Sequence, residues 1–245
     1  MNSFFIEGSG ATGMTVHLAA EDARHAAQVM RLQPGEEIYA VDEGGHRFLA
    51  ALESVSKAAC TAVLKQELPD NEPPVRVTLY QGLPKADKLD MIVQKLTELG
   101  VARIAPVKME RCGVKLDERD GVKRRDRLQK IAREAAKQCK RGCTPEVLEP
   151  RTFKQLRENM ARHDLLLVPW EDAQSFGLKA AQGDFPNARD IGVVIGPEGG
   201  MSEAEVRTLE ELGAKQITLG PRILRTETAA VVSCALAMLL WGDIG

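Results

Sequence analysis

Aromatic side chains are scarce in this 245-residue chain, at 4% of residues, so its core has to be aliphatic and rich in alanine. Cysteine is limited to Cys60, Cys112, Cys139, Cys143 and Cys234. An odd number at irregular spacing offers no disulfide framework and points to a reducing, cytoplasmic compartment. Cys139 and Cys143 are four apart, but no further Cys or His lies near enough in sequence to complete a zinc site. The four histidines, His17, His25, His46 and His163, fall in no metal motif, so no metal is expected. His163 reads as a surface residue at a helix end. The opening MNSFFIEGSG lacks a basic stretch followed by a long apolar run, so no secretory signal is expected. The longest apolar stretch, Ala229 to Trp241, is short for a membrane span and contains Ser233; it reads as a buried helix, with no membrane partner. Three catalytic motifs are also missing: G-x-x-x-x-G-K-[ST], a G-x-G-x-x-G after a first strand, and G-x-S-x-G. Their absence disfavours a phosphate-binding P-loop, a dinucleotide fold and a serine hydrolase.

Charge is abundant but unevenly placed. The formal net charge is −2, yet residues 76–141 hold 18 basic against 9 acidic side chains, while residues 1–71 hold 5 against 10. A basic middle in a near-neutral chain is either a solvated helix face or the footprint of a polyanion.

The segment Leu68-Pro69-Asp70-Asn71-Glu72-Pro73-Pro74 divides the chain. Before it, Thr15–Leu18, Glu37–Val41 and Arg47–Leu52 alternate as strands, and Asp42-Glu43-Gly44-Gly45 marks a hairpin turn. One helix over 21–31 is expected, and residues 1–71 fit a compact β-barrel. From residue 75 onward, strands alternate with helices. Strands are expected at 75–80, 101–107, 165–168, 191–195 and 216–219. Helices are expected at 89–99, 121–141, 152–162, from Ser202 to Leu212 behind a capping box, and from Thr226. This order predicts an α/β domain over 75–245 with a mostly parallel sheet covered on both faces.

Ligands of parallel sheets lie beyond the carboxyl ends of the strands. Three loops fall at such ends, after Val168, Ile195 and Leu219. Gly196-Pro197-Glu198-Gly199-Gly200 is either a structural turn or a ligand loop whose backbone amides open toward the site. Glu198 inside it would repel pyrophosphate but tolerate a ligand with no phosphate or with a positive charge. S-adenosylmethionine, with its sulfonium, adenine and ribose, has that character. In the last loop, Arg222 and Arg225 stand near a helix N-terminus, where the dipole gives a cation nothing. They either pair with Glu227 or Glu198 or hold a phosphate or a developing oxyanion. On the 121–141 helix, Leu128, Ile131, Ala132, Ala135 and Cys139 form one face, and Lys130, Arg133, Lys137, Lys140 and Arg141 form another. Without stacking aromatics nearby, this basic face is suited to backbone phosphates rather than bases.

Several segments together resemble the ribosomal RNA small subunit methyltransferase E family, within the SPOUT class of knotted methyltransferases. They are Lys85-Ala86-Asp87-Lys88-Leu89-Asp90, Gln94 to Val101, Glu110-Arg111, Glu134 to Cys139, Ile195 to Gly200 and Leu219 to Ala229. Cys112 stands where the family's pattern has a serine. The resemblance implies a PUA-like RNA-binding barrel over 1–71 and, over 75–245, a sheet ending in a deep trefoil knot. It implies a homodimer that methylates N3 of a uridine in 16S ribosomal RNA with S-adenosylmethionine and without a metal. Cofactor contacts then fall to Leu167, Val168, Ile195, Gly196, Pro197, Glu198, Gly199, Gly200, Leu219, Gly220, Ile223, Leu224 and Thr228. Arg225 is the first candidate for stabilising the anion that forms as N3 loses its proton, and Glu198 is the second catalytic candidate, as a base. RNA contacts fall to Arg24, His25, Arg31, Lys85, Lys88, Arg111, Arg133, Lys137, Arg141 and Arg222, with ribosomal RNA or the small ribosomal subunit as partner. The competing readings are a catalytically silent RNA-binding assembly factor and a related methyltransferase acting elsewhere, such as on a ribose 2′-oxygen of transfer RNA.

Overall fold

The computed structural model describes residues 1–85, 87–113, 118–171 and 177–245. Ala86, in the first of the matched segments, and residues 172–176, in the loop after Val168, lie outside the described residues. The chain forms two compact units. One holds Met1–Glu72 together with Ala136–Thr144, and the other holds Pro73–Ala135 and Pro145–Gly245.

The first unit is a five-stranded sheet of β1 (Ser3–Phe5), β2 (Thr15–His17), β3 (Glu37–Val41), β4 (Arg47–Val55) and β5 (Cys60–Leu68), in the order β1-β3-β4-β5-β2. All neighbours are antiparallel except β1 and β3. Register shifts between β4 and β5 at Leu49/Ala50 and Leu52/Ser54 curl the sheet. A bridge between Ile6 and Leu18 joins the ends of the two edge strands, so the sheet curls toward a closed barrel. Phe4, Ile38, Phe48 and Leu64 fill its centre. The expected helix over 21–31 is two pieces: α1 (Ala20–His25) and a single wide π-turn, Ala26–Met30, stopped by Arg31 in a left-handed conformation. The hairpin at Asp42 is held by side-chain bonds, because the Asp42 carboxylate accepts from the amides of Gly10 and His46.

In the second unit all strand pairs are parallel. Its strands are β6 (Arg76–Gly82), β7 (Arg103–Lys108), β8 (Glu146–Val147), β9 (Arg151–Thr152), β10 (Leu165–Pro169), β11 (Asp190–Ile195) and β12 (Lys215–Ile217). Their order is β12-β10-β11-β6-β7-β8, with β9 also beside β7. The helices are α2 (Lys88–Glu98), α3 (Glu118–Cys139), α4 (Phe153–Met160), α5 (Leu178–Asp184), α6 (Glu203–Glu211) and α7 (Thr226–Trp241). Because side chains alternate along a strand, each central strand feeds two cores. Leu79, Leu167 and Val193 pack with Ile92, Leu96 and Ala237 on one face. Tyr80, Val168 and Val194 pack with Leu156, Met160 and Leu209 on the other. The sequence of α7 is apolar around its whole circumference, and the helix returns from edge strand β12 to pack on α2, α5, β6 and β11.

Two expectations are corrected. His163 is not a surface residue: its side chain is 6% exposed, with Nδ1 2.6 Å from Asp190 and Nε2 2.9 Å from the Tyr80 hydroxyl. The basic face read on 121–141 does not run to its end. The helix stops at Cys139, and Lys140 adopts a left-handed φ of 63°. The amides of Lys140 and Arg141 then bond back to Lys137 and Ala136, as in a Schellman ending. That reversal turns Arg141 inward. It is 4% exposed and forked on the Glu72 carboxylate at 2.6 and 3.1 Å. Lys137 is likewise engaged, 2.6 Å from Asp22.

Candidate active site

The carboxyl ends of β10, β11 and β12 open into a cavity of about 500 Å³. Three chain segments line it: Pro169-Trp170-Glu171, Ile195 to Met201, and Thr218 to Thr226, with Lys88 and Ala229 at its sides. Its volume is that of a small-molecule site, where parallel sheets place ligands.

The glycine loop has its shape for local reasons. Gly200 takes a φ of 71°, a conformation a side chain would strain. Ser202 then caps α6, its hydroxyl accepting from the Glu205 amide while Glu205 accepts from the Ser202 amide, the capping box expected from the sequence. The second oxygen of Glu205 takes the Glu110 amide, which ties this helix start to the segment after β7. Gly82, at the end of β6, lies so close that an added Cβ would stand 2.5 Å from the Pro197 nitrogen.

Glu198 is held from two sides. Its carboxylate accepts from the Lys85 amide at 3.0 Å and lies 3.0 Å from Lys88 Nζ. Burial pushes its proton affinity up, but the bonds from Lys88 and the Lys85 amide outweigh burial and hold it below the ordinary carboxylate range. Lys88 also lies 3.3 Å from Glu227 in the first turn of α7, and its own affinity is raised, chiefly by the bond to Glu198. A carboxylate so held stays ionised, the opposite tuning from a base for a weakly acidic imide.

The third segment carries the arginines. Arg225 is the residue preceding α7, extended and exposed, and it lines the cavity. Arg222 is also exposed and lines it. Ile223 lines it too, yet is 85% exposed. Of the residues expected to hold a cofactor, Ile195 to Gly200, Leu219, Gly220, Ile223 and Leu224 come together around the cavity. Leu167 and Val168 do not line it, because they are fully buried within β10, and the wall is made by the residues that follow. Thr228 is exposed and does not line it, because two residues on from Thr226 it points to the opposite side of α7, while Ala229 returns to the cavity. The sequence does not single out Trp170, Met201 or Gln81, and it offers Thr226 only as a cap for the last helix, whereas the N-cap is Arg225 and no side-chain cap bond forms. Thr226 donates to the Gly196 carbonyl at 2.6 Å and accepts from Gln81 at 2.8 Å. A glutamine near the carboxyl end of a central strand, followed by Gly82-Leu83-Pro84, was the available signal.

The expected RNA contacts separate into groups. Arg24, His25 and Arg31 are exposed on the first unit. Lys85, Arg111 and Arg133 are exposed on the second, with Arg111 Nη1 3.5 Å from the Gly199 carbonyl. Lys88 is half-buried against Glu198, and Lys137 and Arg141 are engaged in the ion pairs above. Cys112, the departure from the family pattern, is half-buried, its Sγ accepting from the Met109 amide. Among the described residues, no cluster of three metal-ligating side chains occurs, and no helix is long and apolar enough to cross a membrane.

The lining fits S-adenosylmethionine. Apolar Pro169, Trp170, Leu219 and Leu224 offer surface to a flat base, Gly200 and its neighbours offer backbone, and the carboxylates of Glu171 and Glu198 suit a cation better than a phosphate.

Comparison with known proteins agrees. Residues 71–238 match the family described as RNA methyltransferase domain, and residues 18–65 match the RNA methyltransferase PUA domain. The chain is 38% identical over 220 residues to the ribosomal RNA small subunit methyltransferase E of Bacillus subtilis, covering 88% of this chain and 86% of that one. It is 31% identical over 238 residues to the Mycobacterium tuberculosis protein of the same name, covering 94% and 88%. Among solved structures, a ribosomal RNA small subunit methyltransferase E from Neisseria gonorrhoeae bound to S-adenosyl methionine superposes with a TM-score of 0.86 at 34% identity, over 100% of both chains. A Legionella pneumophila putative methyltransferase with bound cofactor superposes with a TM-score of 0.87 at 32% identity, over 99% and 98%. With the RNA methyltransferase family model matched over residues 71–238 and a relative 38% identical over 88% of the chain, the chain belongs to the ribosomal RNA small subunit methyltransferase E family.

Proposed function

We propose that this protein transfers the methyl group of S-adenosylmethionine to N3 of a uridine in 16S ribosomal RNA. The observation that carries the reading is the convergence of the glycine loop and the Leu219–Thr226 segment on one cavity, with Arg225 exposed at its edge. When bound, S-adenosylmethionine supplies an electrophilic methyl group. The residues of this chain do the rest. The loops around Gly196 and Leu219 hold and orient it. Arg225 stands where it can meet a uracil oxygen and stabilise the imide anion that N3 becomes on losing its proton. Glu198, ionised and tied to Lys88, organises the loop rather than accepting that proton. The target base must stand out of any duplex to expose N3. Arg24, His25 and Arg31 of the barrel and Lys85, Arg111, Arg133 and Arg222 are assigned to the RNA backbone.

The working form is a homodimer with the C-terminal segment threaded as a trefoil knot. Support for the knot is the return of α7 from the sheet edge onto β11 and β6. Support for a second copy as the covering partner is α7 itself, an apolar helix that leaves Leu239 51% exposed.

Nucleoside mass spectrometry of ribosomal RNA from a deletion strain tests the reaction. Loss of 3-methyluridine, restored by the wild-type gene and not by Arg225→Ala, is the expected outcome. Unchanged 3-methyluridine after deletion overturns it. Loss of a ribose-methylated nucleoside instead assigns the protein to 2′-oxygen chemistry.

A further inference from the structure

Gln81 is an amide at the carboxyl end of the central strand β6, flanked in sequence by the buried Leu79, Tyr80 and Leu83, and it is 0% exposed. Burying an amide is unfavourable unless its polar atoms find partners. Its Nε2 finds two: the Gly82 carbonyl at 2.9 Å and Thr226 Oγ1 at 2.8 Å. Its Oε1 finds none among the described residues. An orientation that leaves a buried oxygen unmatched is one imposed by the donor side. Thr226 passes the constraint on, since its hydroxyl proton goes to the Gly196 carbonyl at 2.6 Å. A single chain of hydrogen bonds therefore runs from the end of β6, through the first residue of α7, to the glycine loop that follows β11. It joins the two loops that face each other across the cavity.

We infer that Gln81 is a positioning residue for the cofactor. Acting through Thr226, it locks the Gly196 peptide, and with it the amides that follow, at a fixed separation from the Leu219–Thr226 segment. The inference rests on the reading of this cavity as the S-adenosylmethionine site. A relay that fixes the loops, and does not touch the sulfonium, affects substrate and product alike. S-adenosylmethionine and S-adenosylhomocysteine should lose affinity together.

Calorimetric titration of both molecules into the full-length protein tests this. Thr226→Val keeps the shape and removes the hydroxyl, and both ligands should bind roughly tenfold more weakly. Thr226→Ser keeps the hydroxyl and should bind within about twofold of wild type. Gln81→Met should match Thr226→Val, and the double variant should be no worse than either single one, because the two act in one chain. Gln81→Leu, uncharged and close in size, replaces Gln81→Met should the latter fail to fold. At saturating cofactor the variants should keep kcat within about threefold while KM for S-adenosylmethionine rises. Normal affinity in Thr226→Val, no rescue by serine, or simple additivity in the double variant each overturns the inference. If wild-type protein binds neither molecule, the reading of the cavity fails instead.

Discussion

Lys88 Nζ sits between two carboxylates, 3.0 Å from Glu198 Oε1 and 3.3 Å from Glu227 Oε2. One belongs to the glycine loop and the other to the first turn of α7. The lysine thus bridges the two cavity walls at a point separate from the Gln81–Thr226 chain. Lys88→Met should weaken S-adenosylmethionine binding with little change in global melting. The bridge has a defined pH window. Glu198 is held below its ordinary 4.5, so its contribution is full above 4.5 and is lost as pH falls through the lower folded value. Lys88 is raised above 10.5, so the bridge is full below 10.5 and is lost as pH rises through the higher folded value. Binding measured across pH should show an acid limb that disappears in Glu198→Gln. An acid limb unchanged in that variant would assign it to another group.

Arg225 is exposed and extended at the residue preceding α7, so removing its side chain takes nothing from the core. Arg225→Ala should lower single-turnover methyl transfer by roughly 100- to 1,000-fold, the range for losing one stabiliser of a developing oxyanion. Cofactor affinity should stay within about threefold, because transition-state contacts need not bind the ground state. Equal losses in affinity and rate would place Arg225 in cofactor binding.

The end of β6 leaves no room beside the glycine loop. In Gly82→Ala the new Cβ would stand 2.5 Å from Pro197 N and 2.6 Å from its ring. Both neighbours are stiff, so the loop has to shift, at a cost of about 1–3 kcal/mol. Falling on the loop, that cost predicts roughly 10- to 100-fold weaker S-adenosylmethionine binding. Calorimetry on the variant is the check, and wild-type affinity would show that the loop relaxes freely.

Arg141 is expected to matter for stability. It is forked on Glu72 in a buried setting, and Cys143 lies 3.3 Å from its Nη2. Arg141→Met leaves Glu72 without its guanidinium and should cost about 3 kcal/mol. For a chain of this size the melting temperature should fall by about 6–12 °C. Arg31→Ala, at an exposed position, should stay within about 0.5 kcal/mol of wild type. Differential scanning calorimetry separates the two, and a wild-type melting curve for Arg141→Met would return that arginine to the surface.

Burial pushes the Tyr80 hydroxyl up to about 12 from its ordinary 10.0, with His163 Nε2 2.9 Å away. Ultraviolet titration of the native protein should show a tyrosine phase near 12 that moves to about 10 in denaturant. The raised value makes the neutral phenol's contribution to stability full below pH 10 and lost as pH rises toward 12. A native titration with every tyrosine centred near 10 would contradict the buried position.

What could be read in the chain followed from rules that act over a few residues. The short apolar run Ile191-Gly192-Val193-Val194-Ile195 predicted a strand, and its place before Gly196 predicted a ligand loop. Ser202 and Glu205 form the capping box read from their spacing alone, because a cap needs only the next helical turn. The motif segments located both cavity loops for the same reason, since each is continuous in sequence. Errors arose where one residue reverses the backbone or where a distant partner decides. Lys140 ends α3 with a left-handed turn that helical periodicity does not encode, and Arg141 then meets Glu72, 69 residues earlier. His163 was assigned to the surface because its partners, Tyr80 and Asp190, lie 83 and 27 residues away.

The longer strands and helices of the second unit, the parallel class of its sheet, the glycine loop and the arginine beside the last helix were thus determined by the sequence alone, through side-chain period, caps and backbone freedom, whereas β5, the two-residue strands β8 and β9, and α5 were not. The tertiary structure decided that Glu198 is held by Lys88, that Leu167 and Val168 end inside the sheet, and that Gln81 reaches Thr226 across 145 residues. Those outcomes depend on which strand lies beside which. Strand order is set by the packing of both sheet faces at once, and no local window of the chain contains that information.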